Sequence, residues 1–298
     1  MTRSARFLIV ILVCILAYES ETLGQTRDLV DFYRHIHSGE IMVAAHRGDW
    51  RNFPENSLPG IQSCIDSGID IVEIDNRKTA DGIFVLMHDE TISRTTNGKG
   101  KVSQTTWSKL QQYRLKDTQG AITEYQIPRL EQAIELARDQ IVLNLDKSSD
   151  YLSELIHFID SLDACNTVIL KGIVGQKRMK DLLGHTEDFP CVMPILTKDH
   201  FSMYSSYIDY SQPKIVELIA PNDSTVYSQW TSLSAMRKQK CGIWYNSLFP
   251  AVSMGWNENV NREAAWYWFV EHDAAVIQTD APKELKLFLL RMDCGEEN

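Results

Sequence analysis

Glu73 and Asp75 sit two residues apart beside an apolar run at 69–74. On an extended strand, residues i and i+2 point to the same side, so both carboxylates share one face. Like charges that close repel unless a proton or a cation joins them. Hard cations such as Ca2+ and Mg2+ take carboxylate oxygens as ligands. The apolar flank argues for an interior strand rather than a solvated one. His46 and His88 each follow a short apolar run, at 41–45 and 83–87. Imidazole titrates at about pH 6.5 and can take or give a proton near neutrality. Arg47, next to the first histidine, carries a planar fork that pairs bidentately with anionic oxygens. A carboxylate pair, two proton-transfer groups and a cationic fork are the parts of metal-assisted acid–base chemistry on an anionic substrate.

For these groups to meet, the segments that carry them must open onto one edge of one sheet. Short apolar, β-branched runs recur at 41–45, 71–74, 83–87, 141–145, 167–170, 191–196, 215–220, 242–245 and 274–278. Helical patterns at 58–67, 130–138 and 151–162 lie between them. Strands that alternate with helices predict a parallel sheet. Only seven residues separate Asp75 from Ile83, whereas a parallel crossover needs about a dozen or more. The run at 83–87 should therefore fold back as an antiparallel hairpin that turns near Ala80, Asp81 and Gly82. Eight parallel strands then remain. The predicted fold class is α/β, a TIM-type (β/α)8 barrel with an inserted β-hairpin and a small insertion after strand 2. A doubly wound open sheet is the alternative. Active sites in such barrels lie at the C-terminal face of the strands. Glu73 and Asp75 end strand 2 there, and the returning hairpin brings His88 back beside them.

The bulk composition narrows the partners. With 44% hydrophobic and 23% charged residues, the 298-residue chain has ordinary globular composition and can build a large core. A formal net charge of -10 argues against nucleic acid as a partner, while a locally positive site remains compatible with an anionic small molecule. Arg3 and Arg6 precede an apolar run at 7–18, and small Gly24 precedes Gln25. This layout predicts a secretory signal peptide over 1–24, with an apolar run too short to span a bilayer comfortably. The mature chain is then secreted or periplasmic, with no stable membrane anchor once the signal is removed, and 26–295 form a single domain. Five cysteines follow the signal, Cys64, Cys165, Cys191, Cys241 and Cys294. An odd number cannot all pair within one chain.

The ordered series of motifs goes further. His46-Arg47-Gly48 is followed by Pro54-Glu55-Asn56-Ser57, Glu73-Ile74-Asp75, His88-Asp89 and the stretch from Arg94 to Gly100, with Gln278-Thr279-Asp280-Ala281-Pro282 far downstream. In order and spacing this closely resembles the glycerophosphodiester phosphodiesterase family, most densely over 43–102. The resemblance implies that Glu73 and Asp75 hold one divalent cation, Mg2+ or Ca2+. It also implies that His46 and His88 are the acid and base. The family pattern of E-x-K at the end of strand 4 is altered here. The run reads Leu143-Asn144-Leu145-Asp146-Lys147, so Asp146 fits the third metal ligand while the lysine is displaced by one residue and points the other way. Lys171, at the end of the next strand, is positioned to supply the positive charge instead. Trp244 shares strand parity with Asn246 and either walls an alcohol pocket or packs in the core.

The implied activity is hydrolysis of a small-molecule glycerophosphodiester to glycerol 3-phosphate and an alcohol. Arg47, Lys171 and Trp244 would contact the substrate, His46 would be the base and His88 the acid. The nucleophile is either water or first the glycerol 2-hydroxyl, which would give a cyclic phosphate. One rival reading is a lipid-directed phosphodiesterase, such as a lysophospholipase D or a sphingomyelinase D relative. Another is a binding protein that has lost catalysis. A lipid enzyme would need an exposed apolar rim, and no long amphipathic basic segment is apparent.

Overall fold

The computed structural model describes residues 27–172, 192–197, 214–219, 241–248 and 262–294. The first 26 residues, including the expected signal peptide, lie outside the described residues, as do Cys191, His185 and His200. Eight strands run parallel around a closed ring: β1 (Met42–His46), β2 (Ile71–Lys78), β6 (Val142–Asp146), β7 (Val168–Gly172), β8 (Val192–Thr197), β9 (Ile215–Ile219), β10 (Gly242–Ser247) and β11 (Val276–Thr279). β1 pairs with both β11 and β2, which closes the barrel. β3 (Phe84–Leu86) folds back antiparallel on the upper half of β2, with Asn76 opposite Leu86 and Lys78 opposite Phe84. Gly82, at φ 84°, lies in the turn between them. A second small antiparallel pair, β4 (Arg114–Lys116) and β5 (Ile122–Gln126), follows before the barrel resumes.

The helices form where local chemistry favours them. In α1 (Leu29–Ser38), Asp28 caps the first turn by accepting from the amides of Val30 and Asp31, and Gly39 ends it in the left-handed region. In α2 (Leu58–Asp66), Ser57 caps Gly60 and Pro59 lies in the first turn, where its missing N–H costs nothing. α3 (Leu130–Ala137) and α4 (Leu152–Ser161) turn an apolar stripe onto the barrel wall. α5 (Arg262–Glu271) and α6 (Pro282–Asp293) cover the closing strands, where Trp266 packs on Phe288 and Tyr245 stacks on Phe269. Among the described residues, no helix is long and apolar enough to cross a membrane.

Strand alternation separates two apolar layers. Outward residues such as Val43, Val72, Leu143, Leu170, Val216, Ile243 and Ile277 pack under the helices. Inward residues Met42, Ile71, Val142, Ile169, Met193, Ile215, Trp244 and Val276 fill the barrel's lower interior, and Leu29 and Phe32 of α1 plug it from below. A third cluster lies under the hairpin insertion, built on Val85, Met87, Ile92, Val102, Leu110, Leu115 and Ile127. Cys64 and Cys165 are thiols, the first of them buried.

Candidate active site

Each side chain of the site follows from its place at the end of a strand. β2 is in register with β6 so that Glu73 lies opposite Asn144 and Asp75 opposite Asp146. Period-two alternation turns all four into the barrel. One oxygen from each of Glu73, Asp75 and Asp146 lies within 4.8 Å of the others. Three carboxylates so close form a donor set for a hard divalent cation. Without a positive partner their mutual repulsion is expensive. Burial and the charge of Asp75 push Glu73 up to about 7, far above its ordinary range. Asp146 behaves oppositely: burial would raise it, but Lys171 and Lys147 hold it down at about 2.

The residues around this cluster are fixed by hydrogen bonds. Asn56 donates from Nδ2 to Asp75 Oδ2 at 2.9 Å and accepts the Asp75 amide at 2.8 Å. The amide of Arg47 donates to Glu73 Oε2 at 3.0 Å, and the Arg47 guanidinium lies 3.5 Å from Asp75 Oδ2. Arg47 and Asn56 both adopt left-handed backbone conformations, an energetic cost of about 1–3 kcal/mol each that is common at functional sites. Gly48, also at positive φ, has a further reason to be glycine. A Cβ there would stand 3.2 Å from the Gly60 carbonyl carbon, where the first turn of α2 closes on the loop.

Each histidine is held by an aspartate at the same ring nitrogen. His46 Nδ1 is 2.7 Å from Asp280 Oδ1, and Trp50 Nε1 donates to that same oxygen at 2.7 Å. His88 Nδ1 is 2.7 Å from Asp89 Oδ1. An ionised carboxylate only accepts, so Nδ1 carries a proton in both rings and Nε2 is the nitrogen that the aspartate does not engage. His46 Nε2 lies 4.0 Å from Glu73 Oε2. Burial alone would lower His46, but the hydrogen bond to Asp280 and the charge of Glu73 lift it above its ordinary value. The carbonyl of His88 accepts from Arg77 Nε and Nη2 at 2.9 and 2.7 Å, which fixes the loop after β3 against β2.

Lys171 lies beneath the third carboxylate. Its ammonium is 3.3 Å from Asp146 Oδ2 and 3.0 Å from Glu217 Oε1, and it is buried. Desolvation opposes its charge, yet Glu217, Asp146 and Glu73 together keep it protonated well above its ordinary value. Trp244 departs from the pocket-wall expectation. It is fully buried in the lower interior layer, one strand step below Asn246, and so belongs to the core. Strand parity gives its face and says nothing of its depth. Asp280, Asn56, Glu55 and Glu217 are site residues that sequence reasoning does not single out. The first three lie inside motifs of the ordered series. Glu217 has one signal, a lone acid within the apolar run 215–219.

Fold and rim define a class: a (β/α)8 barrel whose C-terminal edge holds a carboxylate cluster suited to a cation, flanked by two aspartate-oriented histidines. Residues 46–171 match the glycerophosphoryl diester phosphodiesterase family, and 192–289 match a domain of unknown function. A glycerophosphodiester phosphodiesterase from Bacillus altitudinis is 36% identical over 116 residues, 37% of this chain and 46% of that protein. Human glycerophosphodiester phosphodiesterase 1 is 36% identical over 100 residues, 32% of this chain and 29% of that protein. The chain thus spans less than half the length of these curated relatives. A crystal structure of a glycerophosphoryl diester phosphodiesterase from Parabacteroides distasonis superimposes with TM-score 0.74 and 25% identity, over 90% of this chain and 93% of that one. An Oleispira antarctica phosphodiesterase, solved with the product sn-glycerol-3-phosphate, superimposes with TM-score 0.64 and 18% identity, over 85% of this chain and 98% of that one. Over residues 46–171 the chain is thus similar to the glycerophosphoryl diester phosphodiesterase family, and its barrel has the fold of that family's solved structures.

Proposed function

We propose that this chain hydrolyses small glycerophosphodiesters to glycerol 3-phosphate and an alcohol. The observation that carries the reading is the convergence on one rim of three carboxylate ligands and two histidines that both keep Nε2 for substrate. Glu73, Asp75 and Asp146 would hold one Mg2+ or Ca2+. When bound, such an ion polarises a phosphoryl oxygen. The Arg47 guanidinium lies beside Asp75 of the same cluster and is placed to neutralise a further phosphoryl oxygen. His46, nearer the carboxylate cluster, takes the proton from the attacking water, or from the glycerol 2-hydroxyl in a first step whose cyclic phosphate water then opens. His88, on the outer loop, enters the step as the imidazolium, gives its Nε2 proton to the leaving alkoxide and keeps its Nδ1 proton on Asp89. Lys171 acts from below, lowering the proton affinity of Asp146 so that it stays a ligand.

The family match and the product-bound Oleispira antarctica relative support the substrate class. The test is a panel of glycerophosphodiesters with choline, ethanolamine, inositol and glycerol head groups. Alcohol and glycerol 3-phosphate would be quantified with and without chelator. Release that stops on chelation and returns with Mg2+ or Ca2+ is the expected result. Release that ignores chelation, or products other than glycerol 3-phosphate, would overturn the reading. The same proposal includes export: mass spectrometry of the exported protein should find an N-terminus close to Gln25, and intact Met1 in a membrane fraction would refute it.

A further inference from the structure

The stretch that begins at Arg94 has no role in the steps above, yet its first residue joins two parts of the site. Arg94 grips two carboxylates at once. It donates from Nη1 and Nη2 to Glu55 at 2.6 and 2.8 Å, and from Nε and Nη2 to Asp89 at 2.7 and 3.0 Å. In each carboxylate, one of these oxygens is shared with a second partner. Glu55 Oε1 accepts from Arg47 Nη1 at 3.3 Å, and Asp89 Oδ1 accepts from His88 Nδ1. An unbroken line therefore runs Arg47, Glu55, Arg94, Asp89, His88. It crosses from the loop after β1 to the loop after β3, and among the described residues no backbone hydrogen bond between those two loops parallels it.

The Arg94 side chain is 47% exposed, so as plain surface ion pairs these contacts would add little stability. Their geometry does something else. A planar fork that holds two carboxylates bidentately fixes the orientation of each, which an ammonium cannot do. Asp89 is held in its ionised form by Arg94, well below the usual carboxylate range. It therefore stays a pure acceptor that keeps the proton on His88 Nδ1.

We propose, on the basis of the hydrolase reading above, that Arg94 is a positioning residue that aligns the acid His88 through Asp89, with Glu55 anchoring its guanidinium to the loop after β1. Arg94→Gln and Arg94→Lys should both cut turnover of an alkyl glycerophosphodiester such as glycerophosphocholine. A loss of about 100-fold is the scale for a reacting group misplaced by roughly 1 Å. A p-nitrophenyl phosphodiester needs no proton on its leaving group, so both variants should lose far less on it. Asp89→Asn should show the same split, and adding it to Arg94→Gln should cost little more.

A readout independent of turnover is the imidazole proton NMR signal of His88 Nδ1. It should vanish or broaden in Arg94→Gln while that of His46 persists, in protein whose melting temperature is unchanged. Equal losses on the two ester types, or an unaltered His88 signal, would overturn the assignment. If wild type hydrolyses neither ester but the signal changes as described, the alignment stands and the hydrolase reading fails. Should Arg94→Gln not fold, Arg94→Lys and Asp89→Asn decide the question by the same two measurements.

Discussion

The top and the bottom of the barrel are built on opposite principles. At the bottom, Leu29 and Phe32 of α1 close over Met42, Ile71, Val142, Ile169, Met193, Ile215, Trp244 and Val276, an apolar plug in which burial alone supplies the stability. At the top, Glu73, Asp75 and Asp146 are packed against one another, and Arg47, Asn56 and Lys147 hold left-handed backbone. Between them lies a polar band. There Asn144, Glu217 Oε2, Trp244 Nε1, Asn246 Oδ1 and Gln278 Oε1 have no protein partner among the described residues. The same eight strands supply both ends, so the height at which an inward side chain leaves its strand decides whether it joins the core or the site. The difference teaches that the floor stabilises the fold while the rim carries repulsion and strain that the fold must offset.

The contrast is broken most directly at the two histidines. His46→Ala and His88→Ala should each lower turnover of an alkyl diester by about 100- to 10,000-fold, the usual worth of an acid or base. Urea midpoints should stay put, because neither ring belongs to the core. Only His88→Ala should recover on a p-nitrophenyl ester. Recovery of His46→Ala alone would exchange the two roles, and undiminished turnover in both variants would end the two-histidine mechanism.

The floor should respond in stability instead. Phe32→Ala removes a fully buried ring from the plug and should cost about 3–5 kcal/mol in urea unfolding. Turnover per folded molecule should remain at the wild-type level. A parallel fall in turnover would show that floor and rim are mechanically coupled rather than independent.

Next in size is Asp146→Asn. Loss of a supporting contact around a metal typically weakens affinity by about 10- to 100-fold, so loss of a ligand should reach at least the upper figure. Calorimetric titration with Mg2+ or Ca2+ checks this, with unfolding unchanged as the control. Unaltered affinity would remove Asp146 from the ligand set.

The smallest effect sharpens the contrast through pH. In chelated protein, Glu73 titrates at about 7 rather than at its ordinary 4.5. Between those values the folded chain holds a proton that the unfolded chain has released. Stability therefore falls as pH rises through that window and is recovered on acidification. Asp146, with its carboxyl lowered to about 2, has the opposite sign, and its contribution is lost only below its ordinary 3.8. Chelated wild type should gain melting temperature from about pH 7.5 to about 5.5 relative to Glu73→Gln. Saturating metal should abolish the gain, since a bound cation replaces the proton. A wild type that tracks Glu73→Gln through the window would show that the rim carries no such repulsion.

Much of this molecule is legible in its residues because the relevant information is local. Apolar runs that alternate with helical patterns reveal the barrel. The seven residues between Asp75 and Ile83 are too few for a parallel crossover, and β3 indeed returns antiparallel. Strand parity puts Glu73, Asp75 and Asp146 on one face, and register then brings them together. Two kinds of fact lie beyond reach. Depth along the barrel axis depends on the stagger between neighbouring strands, which is why Trp244 can be assigned a face but not a layer. Partnerships between distant strands depend on how the sheet assembles. Asp280 is 234 positions from His46, and Glu217 meets Lys171 across a gap that no local pattern encodes. Chemical type, alternation and spacing were determined by the sequence alone. Tertiary structure decided which aspartate holds His46 and which acid holds the buried lysine, because the first pairing exists only once the first and last strands meet, and the second only once β7 and β9 flank β8.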